Sequence, residues 1–231
     1  MGFRRYGIYF TPTPGPFAEF GAAWLGWDIN AGRVPPPPDI PELTSIRQEI
    51  TQTPGKYGLH ATIKPPFRLA DGQTEAALCD AFETLCAQIA PVTLDHLTLA
   101  RLGRFLALVP EGDTSDLCSL AAHTVRELDV FRAPLTDKEL ARRRARSLSP
   151  EQDANLIRWG YPYVMNTFRF HITLTGKIPK KQADWVQTIL ESHLMPHVPS
   201  PYDIDAFSLV GESSNGRFHI LRRCKLKGKC V

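Results

Sequence analysis

One five-residue pattern occurs twice and constrains the chain more than any other feature. Leu59-His60-Ala61-Thr62-Ile63 and Phe170-His171-Ile172-Thr173-Leu174 both read apolar-His-apolar-Thr-apolar. A period of two is the signature of a strand, whose alternate side chains share a face. Each copy therefore has one packing face, formed by Leu59, Ala61 and Ile63 or by Phe170, Ile172 and Leu174. The other face carries an imidazole beside a hydroxyl. Alternation puts Lys64 with His60 and Thr62, and puts Arg169 and Thr175 with His171 and Thr173. A chain with one such strand in each half is expected to fold as two similar halves.

The rest of the sequence alternates strands with helices. Residues 4–10 read as an aromatic-rich strand stopped by Thr11-Pro12-Thr13-Pro14. Phe17, Phe20, Ala23, Trp24 and Trp27 form a helical stripe over 16–27. Pro35–Pro38 holds an extended surface connector. A short helix is expected around 42–51. Tyr57–Lys64 is the first histidine strand, stopped by Pro65-Pro66. A helix over 73–90 precedes strands at 92–100 and 104–109. Residues 115–130 form a helix capped by Asp113 or Thr114. The segment 137–159 is helical in two pieces, and Ser149-Pro150-Glu151-Gln152 starts the second. Residues 169–175 are the second histidine strand. A helix over 180–194 follows, and 203–210 with 217–226 form a closing hairpin around 213–216. No strong linker divides the chain, so the expectation is one α+β domain spanning 1–231.

Composition excludes several classes of function. The 231 residues hold 27 Lys+Arg against 24 Asp+Glu, a net charge of +3 too small to demand nucleic acid or an anionic membrane. No stretch is apolar for long enough to span a bilayer, and the N-terminus lacks a signal-peptide core. The five cysteines, at 79, 86, 118, 224 and 230, are odd in number and form no CxxC. They read as reduced thiols of a cytoplasmic protein, Cys79 and Cys86 facing a core from one helix. His96, His123 and His219 read as structural. His193 and His197 have a metal-binding spacing, but Pro196 breaks the helix between them, so no metal or cofactor is expected.

Paired imidazoles and hydroxyls suit phosphodiester chemistry. Cleaving a P–O bond needs a base to activate water or a hydroxyl and an acid to protonate the leaving oxygen. Histidine titrates near neutrality and can do either. Threonine hydroxyls can donate to the non-bridging oxygens, and nearby cations can meet developing charge.

These motifs resemble the two-histidine (2H) phosphoesterase superfamily, which includes RNA ligase-like and cyclic phosphodiesterase enzymes. The likeness extends to Arg5–Phe10, Tyr57–Leu69, Gly103–Leu108, Trp159–Val164 and Phe168–Gly176, which are similar to a bacterial branch associated with phosphonate-metabolism operons. The resemblance implies a bilobal α+β fold, with two pseudo-symmetric lobes of antiparallel sheet, helices outside and an active cleft between. It implies catalytic roles for His60 and His171 and phosphate-holding roles for Thr62 and Thr173. Strand phase and motif neighbourhood add Lys64, Arg68, Arg169, Tyr163 and Tyr9 as substrate-binding candidates. The expected activity is metal-independent hydrolysis of a small cyclic phosphodiester, with phosphate or sulfate able to occupy the cleft. RNA 2′,3′-cyclic phosphodiester ends and non-catalytic sensing of a phosphorylated metabolite are the alternatives. Lys138, Arg142, Arg143, Arg144 and Arg146 form a basic run, read either as a solvated face or as a clamp for a terminal phosphate or RNA backbone.

Overall fold

A computed structural model describes residues 2–228, so the thiol expected at Cys230 lies outside them. The described residues form nine strands and seven α-helices. The strands are β1 (Tyr6–Phe10), β2 (Ala61–Phe67), β3 (Val92–Leu94), β4 (His96–Leu102), β5 (Phe105–Glu111), β6 (Ile172–Thr173), β7 (Tyr202–Ile204), β8 (Ala206–Glu212) and β9 (Phe218–Lys225). The helices are α1 (Pro16–Leu25), α2 (Thr44–Thr51), α3 (Glu75–Gln88), α4 (Ser115–Glu127), α5 (Asp137–Arg144), α6 (Pro150–Trp159) and α7 (Lys180–Leu194). None of them is long and apolar enough to cross a membrane.

Seven strands make one antiparallel sheet in the order β4-β5-β6-β2-β1-β8-β9, and β3 pairs with β7 in a small second sheet. The fold is thus α+β with antiparallel pairing, as expected. The two halves are not separate sheets. They meet where β2 and β6 pair through the single match Ala61↔Ile172, so the histidine strands lie side by side at the centre.

The alternation of the motifs is met at that junction. Leu59, Ala61, Ile63, Phe170, Ile172 and Leu174 all enter the main hydrophobic core. Five of the helices, α1, α2, α3, α4 and α7, contribute buried residues to it, Trp24, Ile50, Phe82, Leu117 and Val186 among them. Cys79 and Cys86 are core residues on α3, where small apolar side chains fit. A smaller cluster of Tyr9, Trp27, Ile29, Val210 and Phe218 sits apart from it.

The first histidine strand departs from expectation in two ways. Pro65-Pro66 does not stop β2, which runs on to Phe67. Beyond Ala61 no β6 partner faces the strand, so the prolines remove no ladder hydrogen bond on that side. On the other side the register with β1 slips. Tyr9 faces Thr62, Ile8 faces Lys64 and Tyr6 faces Phe67, one extra β2 residue being inserted at each step. Each insertion is a bulge, and a one-residue slip turns following side chains to the opposite face. The second histidine strand is shorter than expected, only Ile172–Thr173 being paired as strand.

Candidate active site

Extending the antiparallel register from Ala61↔Ile172 sets His60 across from Thr173 and Thr62 across from His171. The four side chains form a compact block on the face opposite the main core. A local twofold relation runs through the Ala61–Ile172 pair. Directly opposed residues in such a ladder have Cβ atoms about 5 Å apart and diagonal ones about 7–8 Å. The two imidazoles occupy a diagonal.

The imidazoles are oriented alike. His60 Nδ1 lies 3.0 Å from the Gly58 carbonyl oxygen and His171 Nδ1 lies 2.8 Å from that of Arg169. A carbonyl can only accept, so each Nδ1 carries a proton, and Nε2 is the nitrogen at which each ring can take up or release one. The partner is the residue two positions earlier in both cases. Gly58 reaches this geometry at φ 70, in the left-handed region that glycine enters freely. The Thr62 hydroxyl is 3.3 Å from His60 Nε2 and donates to it.

The surroundings of the two rings differ. His60 stacks on Tyr9 with centroids 4.0 Å apart, and Tyr57 flanks it at 5.8 Å. Phe218 backs both tyrosines, at 5.7 Å from Tyr9 and 5.1 Å from Tyr57. Among the described residues Phe105, at 6.1 Å, is the one aromatic ring near His171. Desolvation by this aromatic wall pushes the His60 pKa down to about 4, offset in part by the Gly58 hydrogen bond and deepened by the charge of His171. His60 is therefore neutral through neutral pH.

This shift has a consequence for stability. Between about 4 and the ordinary value near 6.5 the unfolded chain protonates His60 while the folded chain does not. Folding stability contributed by His60 is present above that window and is lost as pH falls through it. Thermal melts of the wild type are expected to weaken from about pH 6.5 to 4. His60→Gln should flatten that dependence, and an unchanged profile would refute the assigned shift.

Lys64 is not where strand phase put it, and Tyr9 and Arg68 are engaged within the fold. Lys64 is turned to the opposite face by the bulge at Ile63-Lys64 and is 1% exposed. Its ammonium donates to the Val125 carbonyl at 3.1 Å and to Asp129 at 2.9 Å. Tyr9 is on the site face but lies beneath His60, 1% exposed, so it is a platform and not a ligand contact. Arg68 donates to the Pro134 carbonyl and to Glu139, 2.9 and 3.2 Å away, so its guanidinium is already engaged. Arg169 is exposed and contributes its carbonyl to His171. Tyr163 is exposed and pairs edge-on with Tyr161.

Sequence reasoning missed Tyr57, Phe105 and Tyr161. All three lie inside the segments that carried the family resemblance, which was the available signal. Pro35–Pro38 forms an extended connector without regular structure, and His197 stacks on Phe20 at 5.3 Å. Among the described residues no three His, Cys, Asp or Glu side chains gather as a metal site.

Comparison with known proteins adds a family and a context. A "Ribose 1,5-bisphosphate phosphokinase PhnN" from Janthinobacterium sp. (strain Marseille) is 38% identical over 218 residues, 92% of this chain and 48% of that protein. A protein of the same name from Laribacter hongkongensis is 35% identical over 176 residues, 75% of this chain and 40% of its own. The chain spans about half the length of these curated relatives. Among solved structures, TT0787 of Thermus thermophilus aligns over 98% of this chain and 100% of its own at 16% identity, with a TM-score of 0.46. The apo form of E. coli LigT aligns over 98% and 99% at 16% identity, with a TM-score of 0.44. A family model described as "Protein of unknown function (DUF1045)" matches residues 62–219. That span runs from Thr62 through the whole second histidine motif and on to His219, so the chain belongs to the DUF1045 family.

Proposed function

We propose that the protein is a 2H-type phosphoesterase hydrolysing a small cyclic phosphodiester by paired-histidine acid–base catalysis. The single observation that carries this reading is the central four-residue block. Two imidazoles share one face with Nδ1 tied to the backbone, and a threonine hydroxyl lies across the ladder from each.

His60 suits the base role, because its depressed pKa keeps Nε2 unprotonated. Water loses a proton to His60 Nε2 as its oxygen bonds to phosphorus. The ring P–O bond breaks, and the leaving oxygen takes a proton from Nε2 of His171, which enters the step as the imidazolium. The product is a phosphate monoester bearing a free hydroxyl, and the two histidines end with exchanged protonation. Thr62 and Thr173 donate to the non-bridging oxygens, where negative charge builds. Both proton transfers come from side chains, so the step needs no metal and should run in EDTA.

The relatives' printed name contains a phosphorylated ribose. It favours a ribose cyclic phosphate as substrate, within the phosphonate breakdown that the family resemblance implies. The test is hydrolysis of ribose and nucleoside cyclic phosphates with EDTA present. Turnover of at least one is expected, and failure on the whole panel would sink the reading.

Two further results are expected. Because His60 must be unprotonated to act, kcat/KM should fall on the acid side with a midpoint near 4. An acid limb centred near 6.5 would assign the base elsewhere. Thr62→Val and Thr173→Val should each lower kcat by about ten- to a hundredfold, the worth of a hydrogen bond to a charged group. Wild-type kcat in both variants would remove the hydroxyls from the mechanism.

A further inference from the structure

A groove lies between the end of α5 and the loop at 161–163. It has a volume of about 330 Å³ and is lined by Arg142, Arg143, Arg146, Leu148, Tyr161, Pro162 and Tyr163. Among the described residues no carboxylate lines it. The arginines come from the end of α5 and the turn after it, a helix fixed by a capping box between Thr136 and Glu139. Arg144 alone faces away, held by both oxygens of Asp153 at 2.7 and 2.8 Å. Among the described residues Arg142, Arg143 and Arg146 make no ion pair.

Arg143 is the clearest anomaly. Its guanidinium lies over the Tyr161 ring at 4.8 Å, and its buried Nε has no hydrogen-bond partner. A buried donor without a partner is costly. Burial also lowers the Arg143 pKa, with Arg142 acting in the same sense. An anion in the groove would offset the cost of the buried charge.

The wall opposite is rigid. Asn155 donates to the Val164 carbonyl at 3.0 Å, and the Thr167 hydroxyl donates to the Pro162 carbonyl at 2.7 Å. These bonds pin the loop bearing Tyr161 and Tyr163. Tyr161 and Arg143 also line a cleft together with Arg5, which directly precedes β1 and, four residues from Tyr9, shares its face. Tyr9 in turn stacks on His60. The groove and the histidine block are therefore ends of one surface.

Resting on the phosphoesterase reading above, we infer that this groove seats a second phosphate group, a monoester carried by the same substrate molecule whose cyclic diester meets His60 and His171. Guanidinium forks match phosphate oxygens in charge and geometry. The flanking tyrosines offer faces for the sugar between the two phosphates. The volume is at the small end for ligand pockets, about 300 Å³, which fits a sugar phosphate better than a polymer.

The test has a binding arm and a kinetic arm. By calorimetry, ribose 5-phosphate should bind the wild-type protein at least tenfold tighter than ribose, and Arg143→Gln should remove that preference. In turnover, a nucleoside 2′,3′-cyclic phosphate with a 5′-phosphate should show at least tenfold higher kcat/KM than its 5′-hydroxyl counterpart. That ratio should fall towards one in Arg143→Gln. If that variant does not fold, the double variant Arg142→Gln/Arg146→Gln, at exposed positions, gives the same readout. Equal binding of ribose and ribose 5-phosphate overturns the inference. An oligonucleotide with the same cyclic end binding tenfold tighter than the phosphorylated mononucleotide also overturns it, in favour of an RNA track. Ribose 5-phosphate binding without turnover of any cyclic phosphate would keep the anion groove and reject the catalytic reading.

Discussion

His60→Ala and His171→Ala are each expected to lower kcat on the responsive cyclic phosphate by about 10²–10⁴-fold, the usual worth of one positioned proton transfer. The two losses should not add. Base and acid serve one step, so the double variant should be little worse than the poorer single one, as for residues that act as a unit. Stability should separate the pair. His60 stacks at 4.0 Å on buried Tyr9, and losing an aromatic contact of this kind costs about 0.5–1.5 kcal/mol beyond lost area. Among the described residues Phe105, at 6.1 Å, is the one aromatic ring near His171, so its truncation should scarcely change the melting temperature. Full activity in either folded variant would remove that residue from the chemistry.

Asp129→Ala is expected to be the most destabilising single change outside the apolar core. Asp129 accepts from Lys64 at 2.9 Å, and from Arg132 Nε and Nη2 at 2.8 and 2.9 Å. Burial works to raise its pKa, but the bonds from Arg132 and Lys64 prevail and hold it below the usual carboxylate range. Removing the carboxylate strands a buried ammonium, which costs about 3–5 kcal/mol, or on the order of 10 °C in a chain of this size. Lys64→Met should cost far less, since it removes the charge that needs a partner. Adding Lys64→Met to Asp129→Ala should restore much of the loss. If the single and double variants are equally unstable, the ion pair is not what Asp129 supports.

Lys64 also leaves a mark at alkaline pH. Desolvation pulls its pKa down to about 8 against the opposing pull of Asp129. Between 8 and the ordinary 10.5 the unfolded chain holds a proton that the folded chain has released. Stability contributed by Lys64 therefore rises with pH across that window. The rise should be absent in Lys64→Met.

The candidate site was legible because its pattern is local. Two apolar-His-apolar-Thr-apolar runs specify strands, faces and reactive groups with a period of two, and the structure sets them side by side. The joining of the halves into one sheet was not legible, because it depends on one long-range pair, Ala61↔Ile172. Lys64 was misplaced for a physical reason. Alternation assumes an unbroken ladder, and a bulge is a property of the pairing with β1, not of β2 alone. Pro65-Pro66 misled in the same way, since a proline halts a strand only where its missing N–H is needed. Tyr9 was placed on the right face, yet nothing in the sequence says that an imidazole will cover it. The arginine run of 142–146 divides by helical phase, with Arg144 paired to Asp153 and the others facing the groove.

A crystal structure of the protein with orthovanadate, a mimic of pentacoordinate phosphorus, would test the central claim most directly. The account predicts vanadate between the two imidazoles, within hydrogen-bond reach of both Nε2 atoms and of the Thr62 and Thr173 hydroxyls. Vanadate bound only in the arginine groove, or elsewhere with both histidines untouched, would contradict it.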